Sequence, residues 1–370
     1  MNFELGEEQV LLRNLVEKFA GDRYDPVRRL AYVRESGGYS PEGWAALAET
    51  GLLAFPFAEE FGGFGGGNVE LITVMESLGQ SVAVEPVLPV ILLAGGLIER
   101  AGTAEQKAEW LPALSGGTRM AALAHSERDA RFNQDHVTTR AIDSAEGVRL
   151  CGAKHMVPGG GFADLFVVSA KDAAGAIRFY LVPADASGLQ VRSYRMVDGS
   201  VASDLVLDNV RAEAMADVED PLSPVLRVAR LAIAAELVGL MQMMFDATLE
   251  YVKTRQQFGR PIGAFQAVQF RMADNYTRLE LSRSQLYRAA ATAEEGAAAD
   301  AAVTGARAFI SANAIALAED AVQLHGGIGT TEELMTSQAF KRVIFLASLF
   351  GDSDWELRRY GALTGSQLAA

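Results

Sequence analysis

The hydrophobic period of this chain changes twice along its length, and that change limits the folds open to it. From Glu7 to about Gly116 apolar residues return every three or four positions, as in Val10, Leu11, Leu15, Val16 and Phe19, and again in Trp44, Leu47, Leu52 and Leu53. That spacing puts them on one face of a helix. From about Met120 to Ala214 the pattern becomes short β-branched or alternating runs, "HVTTRAI", "LFVVSAK", "IRFYLVPA" and "SDLVLDNV", cut by Gly, Asp and Asn turns. Such runs read as the strands of an antiparallel barrel or sandwich. From Pro221 the helical period returns, with segments near 224–256, 266–295, 297–324 and 332–350. The expectation is an α+β fold: a helical domain over 1–117, a central antiparallel β barrel over 118–220 and a four-helix bundle over 221–370.

The 370 residues, 49% of them hydrophobic, supply more core than a single compact domain usually holds. A formal net charge of −14 sets up a field that repels phosphodiester backbones and anionic lipid, so neither nucleic acid nor membrane is an expected partner. Cys151 is the only cysteine, which excludes an internal disulfide and fits a reducing cytoplasm. The opening "MNFELGEEQVLLRNLVEKF" has no basic segment followed by an apolar one, and reads as a helix rather than a targeting signal. The long apolar run "VEPVLPVILLAGGLIER" from Val84 falls short of the roughly 20 residues that cross a bilayer, and is expected as a buried helix. His125, His136, His155 and His325 lack the spacing of metal ligands, so no metal is expected.

Two glycine-marked corners interrupt the C-terminal helices. "TRQQFGRPIGAFQ", from Thr254 to Gln266, places Arg255 and Arg260 where one long helix gives way to the next. Guanidinium groups there offer forked, permanently charged donors for a phosphate or pyrophosphate. They equally suit the carbonyl end of a helix, where any cation is favoured. "QLHGGIGTTEE", from Gln323, ends an Ala-rich helix with Gly326, Gly327 and Gly329. Glycines at that place let backbone approach a flat or charged ligand, but they follow a helix and so form no Rossmann turn.

Taken in order, "FELGEEQ", "GLLAFPFAEEFGGFGGG", "QKAEWLPAL", "ALAHSERDARF", "RQQFGRPIGAFQ" and "QLHGGIG" resemble the acyl-CoA dehydrogenase family over nearly the whole chain. The resemblance implies a flavin adenine dinucleotide (FAD) cofactor, an acyl-CoA thioester substrate oxidised to its α,β-unsaturated product, and an electron-transfer flavoprotein as acceptor. It also implies a dimer-of-dimers tetramer in which the FAD lies between subunits. Arg255, Phe258 and Gln266 would then hold the pyrophosphate and adenosine, with Gln323, Gly326 and Gly327 lining the adenine side from a second subunit. Leu123, His125 and Ser126 would edge the flavin ring, and Met156 and Pro158 would lie at its other edge. Arg230 and Phe132 would face the acyl-CoA.

The chain departs from the family where the reaction needs a base. The usual glutamate follows the last bundle helix; here "LFGDSDW" puts Gly351, or one residue on Asp352, at that place. A variant position on the first bundle helix aligns with Ala229, and Glu236 lies two turns further on, where a structural ion pair is the expectation. The acid that normally precedes Arg230 by three residues is Arg227. A tryptophan and a threonine of the family's flavin contact become Met156 and Pro158, and proline offers no N–H. These changes are similar to a shorter branch that pairs with a longer, base-bearing relative in a mixed tetramer, associated with bulky acyl groups including steroid side chains. Two roles follow: an enzyme whose base is Asp352, or a non-catalytic partner that supplies part of a flavin site. Oxidation of a nitroalkane by an aspartate at this turn is a third.

Overall fold

A computed structural model of the chain describes residues 6–21, 23–144, 147–292 and 295–368. The helices in chain order are α1 (Glu7–Gly21), α2 (Pro26–Tyr32), α3 (Pro41–Glu49), α4 (Asn68–Gln80), α5 (Gly96–Ala101), α6 (Ala104–Ser115), α7 (Leu222–Thr254), α8 (Gln266–Ala290), α9 (Ala297–His325), α10 (Met335–Ser348) and α11 (Ser353–Leu368). The strands are β1 (Ala121–Ala124), β2 (Arg140–Ser144), β3 (Gly147–Pro158), β4 (Leu165–Lys171), β5 (Ile177–Pro183), β6 (Leu189–Arg195), β7 (Val201–Ala214), and the short pair β8 (Gln256–Gln257) and β9 (Arg260–Pro261). Phe3, Glu4 and Leu5 of the first quoted motif lie outside the described residues, as do positions 293 and 294 of the segment expected over 266–295. Contacts divide the chain into two compact units, one of Met1–Ala31, Gly67–Ala83 and Arg230–Ala370, the other of Tyr32–Gly66 and Val84–Ala229.

The second unit is built on β1 to β7. The sheet runs β1-β4-β2-β3-β7-β5, with β6 on β7 and β4 also paired to β5. β1 and β2 both lie parallel to β4, whereas the other pairings are antiparallel. The expectation of purely antiparallel pairing is therefore corrected to a mixed sheet. Alternation of apolar and polar residues fixes which face a side chain takes but carries no information on strand direction. The β2–β3 hairpin intervenes between β1 and β4, and gives the chain the length that a parallel crossover needs. Ala122, Leu150, Phe166, Val168 and Leu205 form the core of the sheet. The apolar run from Val84 is buried as expected: Val87–Gly95 winds as a wide π-helix and continues into α5.

In the first unit α4 and α7 approach closely at two glycines. A Cβ on Gly79 would collide with the Glu236 carbonyl, and one on Gly239 would collide with the Glu76 carbonyl. Each helix thus places a glycine where the other's backbone passes. Glu236, on the same helix, is buried and takes both Arg342 Nε at 2.7 Å and Nη2 at 3.2 Å. This is the structural ion pair that its position implied. Four helices were expected after Pro221; α11 is a fifth, and it packs on α9. Two helical spans, Leu222–Thr254 and Ala297–Thr330, are long and apolar enough to cross a bilayer, yet 78% and 67% of their most apolar windows are buried within the fold.

Replacing either crossing glycine tests this packing. Gly79→Ala and Gly239→Ala should each lower the unfolding free energy by about 1–3 kcal/mol, because the backbones they touch cannot rotate away. Gly361→Ala, in α11 with open space around it, should instead be neutral or stabilising by up to about 1 kcal/mol. Urea midpoints at constant m-value report all three.

Candidate active site

The two glycine corners meet in the first unit. Tyr251, in the last turn of α7, stacks on His325 at the end of α9 with ring centroids 4.4 Å apart, and its hydroxyl donates to the His325 carbonyl at 3.2 Å. From this junction β8 and β9 project as a two-residue hairpin, whose central residues Phe258 and Gly259 have φ of 54° and 79°. Two positive φ values in succession are the mark of a type I′ turn, which suits glycine and strains phenylalanine by about 1–2 kcal/mol. The ring so held is 92% exposed, touched only edge-on by Phe265 at 6.1 Å. Arg260 stacks over Phe265 at 4.1 Å, and Arg255 makes no side-chain hydrogen bond among the described residues. Among the described residues neither arginine caps a helix carbonyl, so the simpler reading of the corner is not what this geometry displays. Gln266 opens α8 and Gln323 lies in the last turn of α9, both exposed. Gly326, at φ 65°, and Gly327 have open space where a Cβ would stand, whereas a Cβ on Gly329 would meet the Val322 carbonyl at 2.6 Å. Only the last of these glycines is required by the chain's own packing. A strained exposed ring, an unengaged guanidinium and two uncrowded glycines fit the adenosine and pyrophosphate end of FAD.

The second unit brings together the residues expected at the flavin edge. Ser126 accepts a backbone hydrogen bond from His155 at 2.8 Å, and this ties the end of β1 to β3. The register of β3 on β7 shifts between Lys154 and Val157, so His155 and Met156 form a bulge, and Met156 has φ 50°. Bulges re-aim side chains at functional rims. Asp204 holds this one: it accepts from the Met156 N–H at 3.1 Å and from Tyr194 Oη at 2.9 Å, and its Oδ1 lies 2.7 Å from His155 Nδ1. Leu123 is buried in β1 and Pro158 ends β3, paired with Ala202. Phe132 is half-buried in the loop between β1 and β2, next to Arg131 at φ 50°.

Behind this rim lies a buried ion pair, Lys154 Nζ to Glu127 Oε1 at 2.8 Å. Glu127 also accepts from the N–H and hydroxyl groups of Thr138 and Thr139. Burial would raise its carboxyl, but the bonds from Lys154 and Thr138, the Lys154 charge and the Thr139 N–H outweigh that and bring it to about 2. Burial lowers Lys154 to about 8 against the pull of Glu127. Burial and then the Lys154 charge lower His125 to about 4, so its ring is neutral at physiological pH.

The turn expected to carry a base is differently occupied. Asp352 is exposed, its Oδ1 accepting from the Trp355 N–H at 2.8 Å and its carbonyl from the Glu356 N–H at 2.9 Å. It caps α11. At Gly351 a Cβ would stand 2.7 Å from the Trp355 ring and 3.0 Å from Glu356 Oε1. Arg230, expected to face the acyl-CoA, is 1% exposed, with Nε on Glu356 Oε1 at 2.9 Å. Glu356 is itself fully buried and also feels the charge of Arg307, whose guanidinium donates to the Leu346 and Leu349 carbonyls. Single-sequence reading missed Glu127, Lys154, Asp204 and Glu356. None stands in a motif that marks it out from neighbouring residues, and only the fold supplies its partner.

The sign of the pH response follows from these groups. His125, lowered from 6.5 to about 4, favours folding fully above pH 6.5 and progressively less as pH falls to 4. Glu127, lowered from 4.5 to about 2, adds a second loss below pH 4.5. Stability should therefore drop by at most about 3 kcal/mol across the histidine window. His125→Gln should flatten the upper window and leave the lower one, as measured by urea midpoints over a pH series.

Residues 6–118, 122–210 and 222–362 match the N-terminal, middle and C-terminal domains of acyl-CoA dehydrogenase. The probable acyl-CoA dehydrogenase YngJ of Bacillus subtilis (strain 168) is 30% identical over 349 residues, which are 90% of this chain and 91% of that protein. A chain solved in a variant of the Tcur3481-Tcur3483 steroid ACAD is 32% identical, with TM-score 0.90 over 99% of this chain and 100% of its own. A chain of the ChsE4-ChsE5 complex from Mycobacterium tuberculosis is 26% identical, with TM-score 0.90 over 99% of each. Helical N- and C-terminal domains and a middle β domain are common to these proteins and this one. The chain belongs to the acyl-CoA dehydrogenase family, FAD-dependent oxidoreductases acting on CH–CH bonds.

Proposed function

We propose that this chain serves FAD-linked acyl-CoA dehydrogenation as the partner subunit of a mixed tetramer, supplying flavin contacts while a longer homologue supplies the base. The observation that carries this reading is the 351–352 turn. A side chain at position 351 would have to displace the Trp355 ring, and the carboxylate of Asp352 is committed to a helix N-terminus. A base has to reach the proton of a bound thioester and be free to accept it. When bound, FAD supplies the hydride acceptor. Arg255, Phe258 and Gln266, with Gln323, Gly326 and Gly327, would hold its adenosine and pyrophosphate. Leu123, His125, Ser126, Met156 and Pro158 would border a flavin ring, with less hydrogen bonding than a threonine at 158 would give. The structural neighbours whose descriptions name a steroid enzyme and a two-protein complex support a bulky acyl group and a mixed assembly. An electron-transfer flavoprotein would remove the electrons, and the reducing setting that the lone cysteine fits is the cytoplasm.

The competing reading, Asp352 as base, keeps one support: that residue is exposed at the turn. Asp352→Asn separates the two, because asparagine caps a helix as well as aspartate but cannot take a proton. The chain is purified alone and together with a longer homologue, and anaerobic bleaching of the flavin by a panel of acyl-CoA thioesters is followed. The partner reading expects no bleaching from this chain alone, activity in the mixture, and an Asp352→Asn rate within about twofold of wild type, since no catalytic proton transfer is lost. A fall of about a hundredfold or more, the usual worth of a general base, would establish Asp352 as catalytic and overturn the proposal.

A further inference from the structure

The loop between β1 and β2, residues 125–139, carries Ser126 and Phe132, and both of its ends lead to one ammonium. Lys154 Nζ has three N–H bonds and three acceptors: Glu127 Oε1 at 2.8 Å, Ser169 Oγ at 2.9 Å and the His125 carbonyl at 3.2 Å. The directions of these bonds determine a protonation state. Lysine only donates, so Ser169 Oγ accepts from it; the buried Ser169 hydroxyl has no acceptor among the described residues other than His125 Nδ1, 3.0 Å away, and donates there. Nδ1 is then unprotonated. The neutral ring then carries its proton on Nε2. At the far end of the loop, Glu127 is bound by the N–H and hydroxyl groups of both Thr138 and Thr139.

We propose that Lys154 is the positioning residue of this loop: through Ser169 it fixes His125 as the Nε2-protonated tautomer, and through Glu127 it joins the loop's two ends, so that Ser126 and Phe132 are set by a buried cation that touches no ligand. The ligand-facing part of this inference rests on the proposed function; the tautomer and the loop anchoring do not. A buried lysine is well suited to such a task, because all three of its donors are committed and neither the His125 carbonyl nor Glu127 can move away without breaking one.

Nitrogen-15 NMR of the whole chain labelled at histidine reads the tautomer directly. The expected result is a pyridine-type signal for His125 Nδ1 and a pyrrole-type signal for Nε2. The reverse assignment in the wild-type protein would overturn the proposal without any variant. Ser169→Ala removes the relay and leaves the Lys154–Glu127 pair intact. It should mix the two tautomers and speed tryptic cleavage at Arg128 and Arg131 by about tenfold, the change in open population for one lost hydrogen bond to a charged group. Unchanged cleavage together with an unchanged tautomer would show that Lys154 does not act through Ser169. Neither measurement uses flavin or thioester, so a chain that fails to bind acyl-CoA but gives these results loses the proposed function and keeps this inference.

Discussion

The ion pair between Lys154 and Glu127 is the constraint on which the flavin-edge rim depends. Two charges taken out of water cost several kcal/mol each, and their attraction offsets this only when every remaining donor and acceptor is satisfied. Here the ammonium has three acceptors and the carboxylate has four further donors from Thr138 and Thr139. Satisfaction is achieved by folding the 125–139 segment back on itself, and the same fold-back fixes Ser126 beside the bulge at Met156. The strain of a positive φ at Met156 is then held by Asp204, which receives the N–H that the bulge frees. Polar satisfaction and rim geometry are thus one arrangement.

The first unit uses buried charge differently. Arg230, Glu356 and Arg307 form a cluster with one carboxylate for two guanidinium groups, and Arg230 Nη1 and Nη2 find no hydrogen-bond partner among the described residues. Glu356 lies four residues after Asp352 on the first turn of α11, so two of the carboxylates at this helix start, Asp352 and Glu356, have opposite fates. The outer one caps the helix. The inner one is drawn inward by arginine and fills the space beside Gly351. A carboxylate poised for a proton needs freedom from both, and this turn provides neither.

Much of the architecture was legible because it rests on period. The alternation of helical and strand spacing located the β1–β7 region and the long helices α7, α8, α9 and α10 within a few residues, since burial of one face imposes that spacing. What period does not encode is direction and partnership. The parallel pairings of β1 and β2 with β4, and the presence of α11 behind a turn, came only with the structure. At the site, the glycines and arginines of the two corners were visible as motifs, but not that Tyr251 stacks on His325 to join them, nor that Phe258 bears a strained φ.

The sequence by itself determined the family, the order of helical and β regions, and the lack of a glutamate at the expected turn, because local spacing and residue identity are written in the chain. Only the tertiary structure decided that Asp352 is a cap, that Arg230 is buried against Glu356, and that Lys154 holds the loop of His125 and Phe132. Those outcomes depend on which distant groups meet in a low-dielectric interior, where a charge must find its partner across tens or hundreds of residues of chain.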